Sequence, residues 1–319
     1  MFKILVIGAV QTTKHTINQL LKYDFNIVGV LGHEPANVGR VSGWCDLKAL
    51  AENKKLPYRG FKKINDQENL DWALVKQPDI IFAVGFSQLM AQPWLDMPKL
   101  GCIGFHPTHL PKGRGRAPLA WIVLEQATGS ASFFLMGEGA DDGPVFVQKT
   151  FEIEEKDDAT SAELKIEKAI IESLDIWLPK LKAGEWNPIP QEELEASWYG
   201  KRAPEDGRIS WGNSAHSIDR LIKASSLPHP GAYTYFKDFK IIIWKSTVEK
   251  NIPIQGVTGR VLLIDSTKGY LIQCGEGLIW LENVVLPSDI KLQIGDKLGY
   301  NVEDEIFQIK SILKNLANE

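Results

Sequence analysis

The 319-residue sequence predicts an α/β protein in two parts: a parallel sheet covered by helices, then a smaller β-rich domain. Three observations carry this expectation. The first half alternates runs rich in Ile and Val with stretches of helical pattern. The run at 79–84 (DIIFAV) is apolar after its first residue, as a strand covered on both faces must be. Beyond residue 206, short strand signals recur between turns, the texture of a small barrel or sandwich.

Taken in order, 2–8 is a strand ending in Gly8, 13–21 a helix and 25–31 a second strand. Short helices are expected at 46–53 and at 66–75, where Leu70, Ala73 and Leu74 share one face and Pro78 stops the run. Strand 79–84 follows, then a proline-punctuated stretch and a short strand at 101–105. Residues 119–126 read as helix, and 131–136 and 145–148 as strands. Thr160-x-x-Glu163 has the form of a capping box opening a long helix that ends near Gly184. Its apolar positions are Leu164, Ile166, Ala169, Ile170, Leu174, Ile176 and Trp177. The segment 185–206, with Pro188, Pro190, Pro204 and many charges, reads as a linker. Strands are then expected at 232–236, 239–245, 259–264, 269–273 and 278–285, with a closing helix at 302–316.

Composition narrows the function classes. The hydrophobic fraction is 44% and the charged fraction 24%, ordinary for a globular chain and wrong for a disordered or collagen-like one. The 36 Lys and Arg against 40 Asp and Glu leave a net charge of −4, which disfavours a protein that works by neutralising phosphates. Cys45, Cys102 and Cys274 are widely spaced and form no CxxC, so they read as free thiols of a reduced compartment. The opening MFKILVIGAV lacks a small-residue cleavage site and reads as a buried strand, not a leader. No apolar run reaches the roughly 18 residues of a membrane span. A cytoplasmic protein without metal is expected.

Two stretches carry chemistry. The first, GFHPTHLPKGRGRAPLAW at 104–121, follows a strand and precedes a helix, so it lies at the carboxyl edge of the sheet where ligands of open α/β sheets bind. His106 stands just past that strand and suits proton exchange near neutrality. Pro107, Pro111, Gly113, Gly115 and Pro118 constrain the loop, and Arg114 and Arg116 add fixed positive charge. A surface loop with a capping histidine is the plain alternative. The second stretch, MGEGADDGPVFVQ at 136–148, offers Glu138, Asp141 and Asp142 in a glycine-rich turn. It lacks the alternating ligands and distal Glu of an EF-hand. It reads either as an acidic turn or as the source of a carboxylate for His106. Gly8 stands alone where a dinucleotide fingerprint needs three glycines, and GK[ST], GxSxG and zinc spacings are absent.

Together these stretches resemble the formyltransferases that use 10-formyltetrahydrofolate. The family pattern is roughly Asn-x-His-x-Ser-Leu-Leu-Pro-x-x-Arg-Gly, with Asp-x-Gly some 35 residues later. His106-Pro107-Thr108-His109-Leu110-Pro111, Arg114-Gly115 and Asp141-Asp142-Gly143 match it. PDIIFAVGFSQLM at 78–90, KRAPEDGRISW at 201–211 and LPHPGAYTYF at 227–236 are similar to the family's pterin-lining strand, domain junction and start of the C-terminal domain. The resemblance implies a Rossmann-like formyltransferase domain over 1–200 and a C-terminal β-rich, OB-like domain over 201–319. It assigns His106 and Asp141 as catalytic. It places Phe86, Ser87, Gln88, Leu89 and Met90, with Gly137, Glu138, Gly139 and Ala140, as pterin-binding backbone, and Arg114 as a cofactor-site residue that holds its loop against the cofactor side. The family's catalytic Asn falls at Gly104, so another donor must meet the oxyanion: a backbone amide, Thr108 or protonated His106. Gly-x-His-Pro and Phe133-Phe134-Leu135-Met136 fit a sugar-modifying branch of the family.

Formyl transfer needs a proton removed from the attacking amine, one returned to the leaving nitrogen, and a donor for the oxyanion. His106 is expected as proton carrier and Asp141 as its orienting group. The acceptor amine is the open question. Residues 201–319 hold 15 Lys and Arg against 14 Asp and Glu, a poor footprint for transfer RNA. A nucleotide-linked amino sugar is therefore favoured over methionyl-tRNA, and a non-catalytic folate-binding homologue is the third reading. Gly8, Thr108, Arg202 and Trp211 are the expected substrate contacts, with 8–10, the Ser42–Asp46 loop and His109 as further pocket candidates. An oligomer is compatible with all of this.

Overall fold

The computed structural model of the protein describes residues 2–38, 41, 43–300 and 302–316. The chain divides into two compact units, Met1–Arg202 and Ala203–Glu319.

In the first unit the elements run β1 (Lys3–Gly8), α1 (Gln11–Lys22), β2 (Asn26–His33), α2 (Leu47–Asn53), β3 (Tyr58–Phe61), α3 (Gln67–Lys76), β4 (Ile80–Val84), α4 (Gln92–Asp96), β5 (Gly101–Thr108), β6 (Arg114–Gly115), α5 (Pro118–Glu125), β7 (Gly129–Leu135), β8 (Val145–Phe151), α6 (Ala159–Lys182) and β9 (Trp198–Tyr199). Seven strands form one sheet in the order β3-β2-β1-β4-β5-β7-β8. β1 to β5 are parallel, β7 is antiparallel to β5, and β8 is antiparallel to β7. Ile4, Leu5, Val6 and Ile7 of β1 and all of β4 are buried, which explains their continuous apolar sequence. The order reverses between β1 and β4, the switch point beside which such sheets bind ligands.

Three sequence readings shift. β5 runs to Thr108 because β7 pairs with it through Ser132↔His106 and Gly129↔Thr108, so His106 lies inside the strand. Pro107 sits at the register break, where a residue without an N–H is tolerated. α6 begins earlier than Thr160: Asp158 caps it, accepting from the Ser161 amide at 2.8 Å while its own amide donates to Ser161 Oγ at 3.0 Å. Leu164 and Ile176 are exposed, whereas Ile166, Ile170, Leu174 and Trp177 form the buried stripe. The segment 185–200 is not a free linker. Ile189 pairs with Val145, and β9 pairs in parallel with β6.

The second unit contains α7 (Ala215–Ser225), β10 (Ala232–Phe236), β11 (Phe239–Glu249), β12 (Val261–Asp265), β13 (Gly269–Gln273), β14 (Leu278–Val285) and α8 (Val302–Leu316). Its five strands form one antiparallel sheet in the order β10-β11-β14-β13-β12. Ile218 and Ile222 of α7 pack with Ile241, Ile243, Ile279 and Leu281 into its core. Among the described residues no helix is long and apolar enough to cross a membrane.

Candidate active site

β5 positions the central histidine. Gly104, His106 and Thr108 alternate with Phe105 along the strand, so the three share a face. The His106 ring is buried. Its Nε2 lies 2.8 Å from the Gly113 carbonyl oxygen and its Nδ1 3.4 Å from Asp141 Oδ2. A carbonyl only accepts, so Nε2 carries a proton in this arrangement. Nδ1 bonds Asp141 only when it is protonated too. That contact is longer than the roughly 2.7–2.9 Å of a charge-assisted bond, so it can tighten.

The loop after β5 is held from outside. Gly113 and Arg114 amides donate to Ser197 Oγ and to the Ser197 carbonyl, both at 2.9 Å, and Arg116 N donates to the Tyr199 carbonyl at 3.0 Å. Gly115 is required at its position. Its φ is +104°, and a Cβ there would stand 2.6 Å from the Tyr199 carbonyl oxygen. The freed Gly115 amide donates to Asp141 Oδ2 at 2.9 Å. Asp141 itself sits in the left-handed region at φ 57°, which aspartate tolerates. Asp141 is the more accessible partner: its side chain is 20% exposed against 5% for His106. Among the described residues its Oδ1 makes no hydrogen bond. The structure thus brings together His106 and Asp141, residues 35 apart in sequence, at one strand edge.

Gly104 faces the same side and is covered. A Cβ there would stand 2.6 Å from Phe134 Cζ and 3.0 Å from Met136 Cγ. Phe134 is its direct partner on β7. The ring therefore fills the place an asparagine would use.

Residues 86–90 follow β4, and 137–140 follow β7. Among the described residues, none of the backbone amides of Phe86, Ser87, Gln88, Leu89 or Met90, nor of Gly137, Glu138, Gly139 or Ala140, donates a hydrogen bond. Side chains hold the first stretch from beside it. Gln88 accepts from Ile64 N at 2.9 Å and donates to the Lys62 carbonyl at 2.8 Å, while Asn65 holds the Leu89 carbonyl and the Ala91 amide, both at 2.9 Å. Phe86, Met90 and Met136 are half-buried against one apolar cluster. An apolar floor edged by unpaired amides fits a flat heterocycle with polar edges.

Several expected contacts have other duties. Arg114 is 1% exposed and its guanidinium is paired within the chain. Nε and Nη2 donate to Gln191 Oε1 at 3.2 and 3.1 Å, Nη2 also pairs with Glu193 at 2.9 Å, and the group stacks 5.4 Å from the Trp198 ring. The fork is thus filled by side chains of the same unit, and Arg114 holds its loop to the segment 191–193. The Thr108 hydroxyl is buried and donates to the Gly113 carbonyl at 3.3 Å, so it is spent on the loop. Gly8 packs against Thr13, whose hydroxyl donates to the Val84 carbonyl at 2.6 Å, and its role is to let α1 approach the sheet. Trp211 is buried in the second unit's core, with its indole N–H on Thr234 Oγ1 at 2.9 Å. Arg202 lies 5.2 Å over the Trp121 ring, which stacks on Tyr199 at 5.5 Å. Of the 42–46 loop, Ser42 lies outside the described residues, and the Gly43 carbonyl accepts from Gln11 N at 3.1 Å. His109 is exposed.

Sequence reasoning missed Gln191 and Ser197, and named Phe134 only within a strand motif. The first two sit in a stretch whose prolines and charges resemble a linker, and no periodicity marks them.

The three cysteines are free and buried. Burial raises the Cys102 and Cys274 thiols to about 12 and Cys45 to about 11, so none is poised as a nucleophile.

An open α/β sheet with this histidine–carboxylate pair at its edge, joined to a small antiparallel β unit, defines a class of group-transfer protein. Residues 2–174 match the formyl transferase family and residues 201–298 the formyl transferase C-terminal domain. The chain belongs to the formyl transferase family. It is 34% identical over 231 residues to the bifunctional polymyxin resistance protein ArnA of Wigglesworthia glossinidia brevipalpis, covering 72% of this chain and 35% of that one. The chain thus spans about a third of that relative's length. Among solved structures, it superposes on an N-formyltransferase from Helicobacter canadensis, crystallised with folinic acid and dTDP-3-aminofucose, at TM-score 0.68 and 17% identity, over 88% of this chain and 99% of that one. The methionyl-tRNA formyltransferase from Clostridium thermocellum aligns at TM-score 0.54 and 16% identity, over 79% and 96%.

Proposed function

We propose that this protein is an N-formyltransferase that moves a formyl group from 10-formyltetrahydrofolate to the amine of a nucleotide-linked amino sugar. The observation that carries the reading is the His106–Asp141 contact at 3.4 Å on a sheet edge, in a chain that also offers two unpaired backbone edges over an apolar floor. The folate fits those edges: Phe86 to Met90 and Gly137 to Ala140 have amides, and carbonyls other than that of Leu89, to offer its heterocycle, and Phe86, Met90 and Met136 its faces. When bound, it supplies a formyl group activated on nitrogen.

The chain's own residues do the rest. Asp141 Oδ2 is fixed by the Gly115 amide and by His106, which leaves Oδ1 to take the proton from an attacking amine and to return it to the departing nitrogen. The exposed partner is thus the base, and the buried imidazole orients it and stabilises its charge. This reverses the roles expected for the two from sequence. For the developing oxyanion, the sequence suggests Thr108 and His106 as side-chain donors. The Thr108 hydroxyl and His106 Nε2 are both spent on the Gly113 carbonyl and His106 Nδ1 faces Asp141 Oδ2, which leaves a backbone amide, the other donor the sequence allowed. A donor aimed at the oxyanion contributes on the order of 10²–10³ in rate.

The near-balance of charge in 201–319 favours a small nucleotide-sugar acceptor, whose diphosphate needs few cations, over transfer RNA. The solved N-formyltransferase crystallised with dTDP-3-aminofucose supports the same acceptor class. One observation favours a second reading, a folate-binding protein without turnover: Phe134 closes the place of the family's asparagine. A single assay separates the readings. Purified protein is incubated with 10-formyltetrahydrofolate and a panel of amino-sugar nucleotides, with charged initiator tRNA in parallel. Formylated sugar nucleotide is the expected product. Formylation of the tRNA alone, or folate binding with no product, overturns the proposal.

A further inference from the structure

Gln191 stands in neither functional motif, yet its carboxamide uses all of its hydrogen-bonding capacity on the two segments that build the pair. Oε1 accepts from Arg114 Nε at 3.2 Å and from Arg114 Nη2 at 3.1 Å. Nε2 donates to the Asp141 carbonyl at 2.8 Å and to the Gly143 carbonyl at 2.7 Å. An amide offers two donors and two acceptor lone pairs, so none is left over. A flipped amide would set its NH₂ against a guanidinium and its oxygen against two carbonyls. The orientation is therefore fixed.

The two clamped segments carry every polar contact that defines the pair. On one side, Arg114 is flanked by Gly113, whose carbonyl holds His106 Nε2, and by Gly115, whose amide holds Asp141 Oδ2. On the other side, Asp141 sits in a turn with a left-handed φ of 57°. Gln191 binds the carbonyls on both sides of Asp142 and so holds that turn in place. Two further ties, Ile189 to Val145 and Ser197 to Pro111, anchor the segment that carries it.

We propose that Gln191 is a positioning residue that sets the separation and alignment of His106 and Asp141. The claim rests on the reading of those two as the reacting pair. Gln191 touches neither side chain and acts through the backbone of residues 113–115 and 141–143.

The test compares Gln191→Leu and Gln191→Glu with wild type in the full-length chain. Gln191→Glu keeps a partner for Arg114 but turns an acceptor toward two carbonyls, so it preserves the buried guanidinium's pairing if the leucine variant does not fold. Glu193→Ala is the control, because it removes the exposed partner of Arg114 and leaves the Asp141 clamp alone. The first readout needs no substrate: the ring ¹⁵N resonances of His106, which report which nitrogens are protonated and hydrogen-bonded. They are expected to move in both Gln191 variants and to stay in place in Glu193→Ala. The second readout is kcat, expected to fall ~10–100-fold as misplacement of a reacting group does, without a matching rise in KM for 10-formyltetrahydrofolate. Unmoved His106 resonances in a folded Gln191 variant overturn the positioning role, as does wild-type kcat. A wild-type protein that transfers no formyl group overturns the proposed function instead, and the His106 spectrum then decides the role of Gln191 by itself.

Discussion

Phe134 closes over Gly104: a Cβ on residue 104 would lie 2.6 Å from the tip of the phenyl ring. The two residues are direct partners across β5 and β7, so the glycine and the aromatic form one packing unit. Gly104→Asn by itself is therefore expected not to install a working amide. Overpacking of a well-filled core costs about 1–3 kcal/mol. Thermal unfolding should show a lowered midpoint for Gly104→Asn, and Gly104→Asn with Phe134→Ala should recover part of it, giving a favourable coupling in the double-mutant cycle. Strict additivity of the two substitutions would show that the ring and the new side chain do not compete.

Asp141→Asn tests the base. The amide can still accept from Gly115 but takes no proton from an amine. Formyl transfer is expected to fall by ~10²–10⁴-fold, the usual worth of a positioned general base. His106→Ala should fall comparably, and the double variant should be scarcely worse than either, since a pair acting as one unit is not additive. Steady-state rates on protein with unchanged circular dichroism check this. Independent, multiplicative losses would argue against a shared proton.

Much of this arrangement was legible in the sequence for definite physical reasons. Buried parallel strands leave continuous apolar runs, so β1, β2 and β4 announced themselves. The strand-edge histidine and the acidic turn stood out because glycine and proline crowd around chemistry-bearing side chains. What stayed hidden depended on contacts between distant segments. Tyr58-Arg59-Gly60-Phe61 forms β3 only because β2 offers a parallel edge. Trp198-Tyr199 becomes β9 because Arg114-Gly115 pairs with it. Arg114 looked like a ligand-binding cation because sequence cannot show that Gln191 and Glu193 take its guanidinium. Trp211 looked available because nothing local reveals that its indole N–H is satisfied inside a core.

Arg114 is accordingly expected to matter for stability more than for folate affinity. Arg114→Met leaves Gln191 Oε1 without its two donors and removes the stack on Trp198. Stranding a buried acceptor costs about 1–3 kcal/mol. Arg114→Lys should recover little, because an ammonium cannot reproduce the planar fork. Glu193 is largely exposed, so the charge left on it is solvated and adds little. Urea unfolding is expected to show a lower midpoint for both variants, while folate binding to the fraction that remains folded stays near wild type. A loss of folate affinity with unchanged unfolding would return Arg114 to the cofactor side.

The three thiols give a pH dependence with a defined sign. Burial favours the neutral thiol, and raises Cys102 and Cys274 from an ordinary 9.0 to about 12 and Cys45 to about 11. The folded state therefore holds these protons more tightly than the unfolded chain. Their contribution to stability is fully present below pH 9 and is lost as pH rises through about 11 to 12. Unfolding midpoints should thus fall on raising the pH above 9, and Cys102→Ala with Cys274→Ala should flatten that part of the curve. The same burial predicts slow labelling. At pH 8 a thiol-specific reagent should leave all three unmodified in the native protein and modify all three in urea, because the thiolate is the reactive form and is scarce in the fold. Fast labelling of Cys45 in the native state would show that 9% residual exposure is enough to admit reagent and that its thiolate is not suppressed.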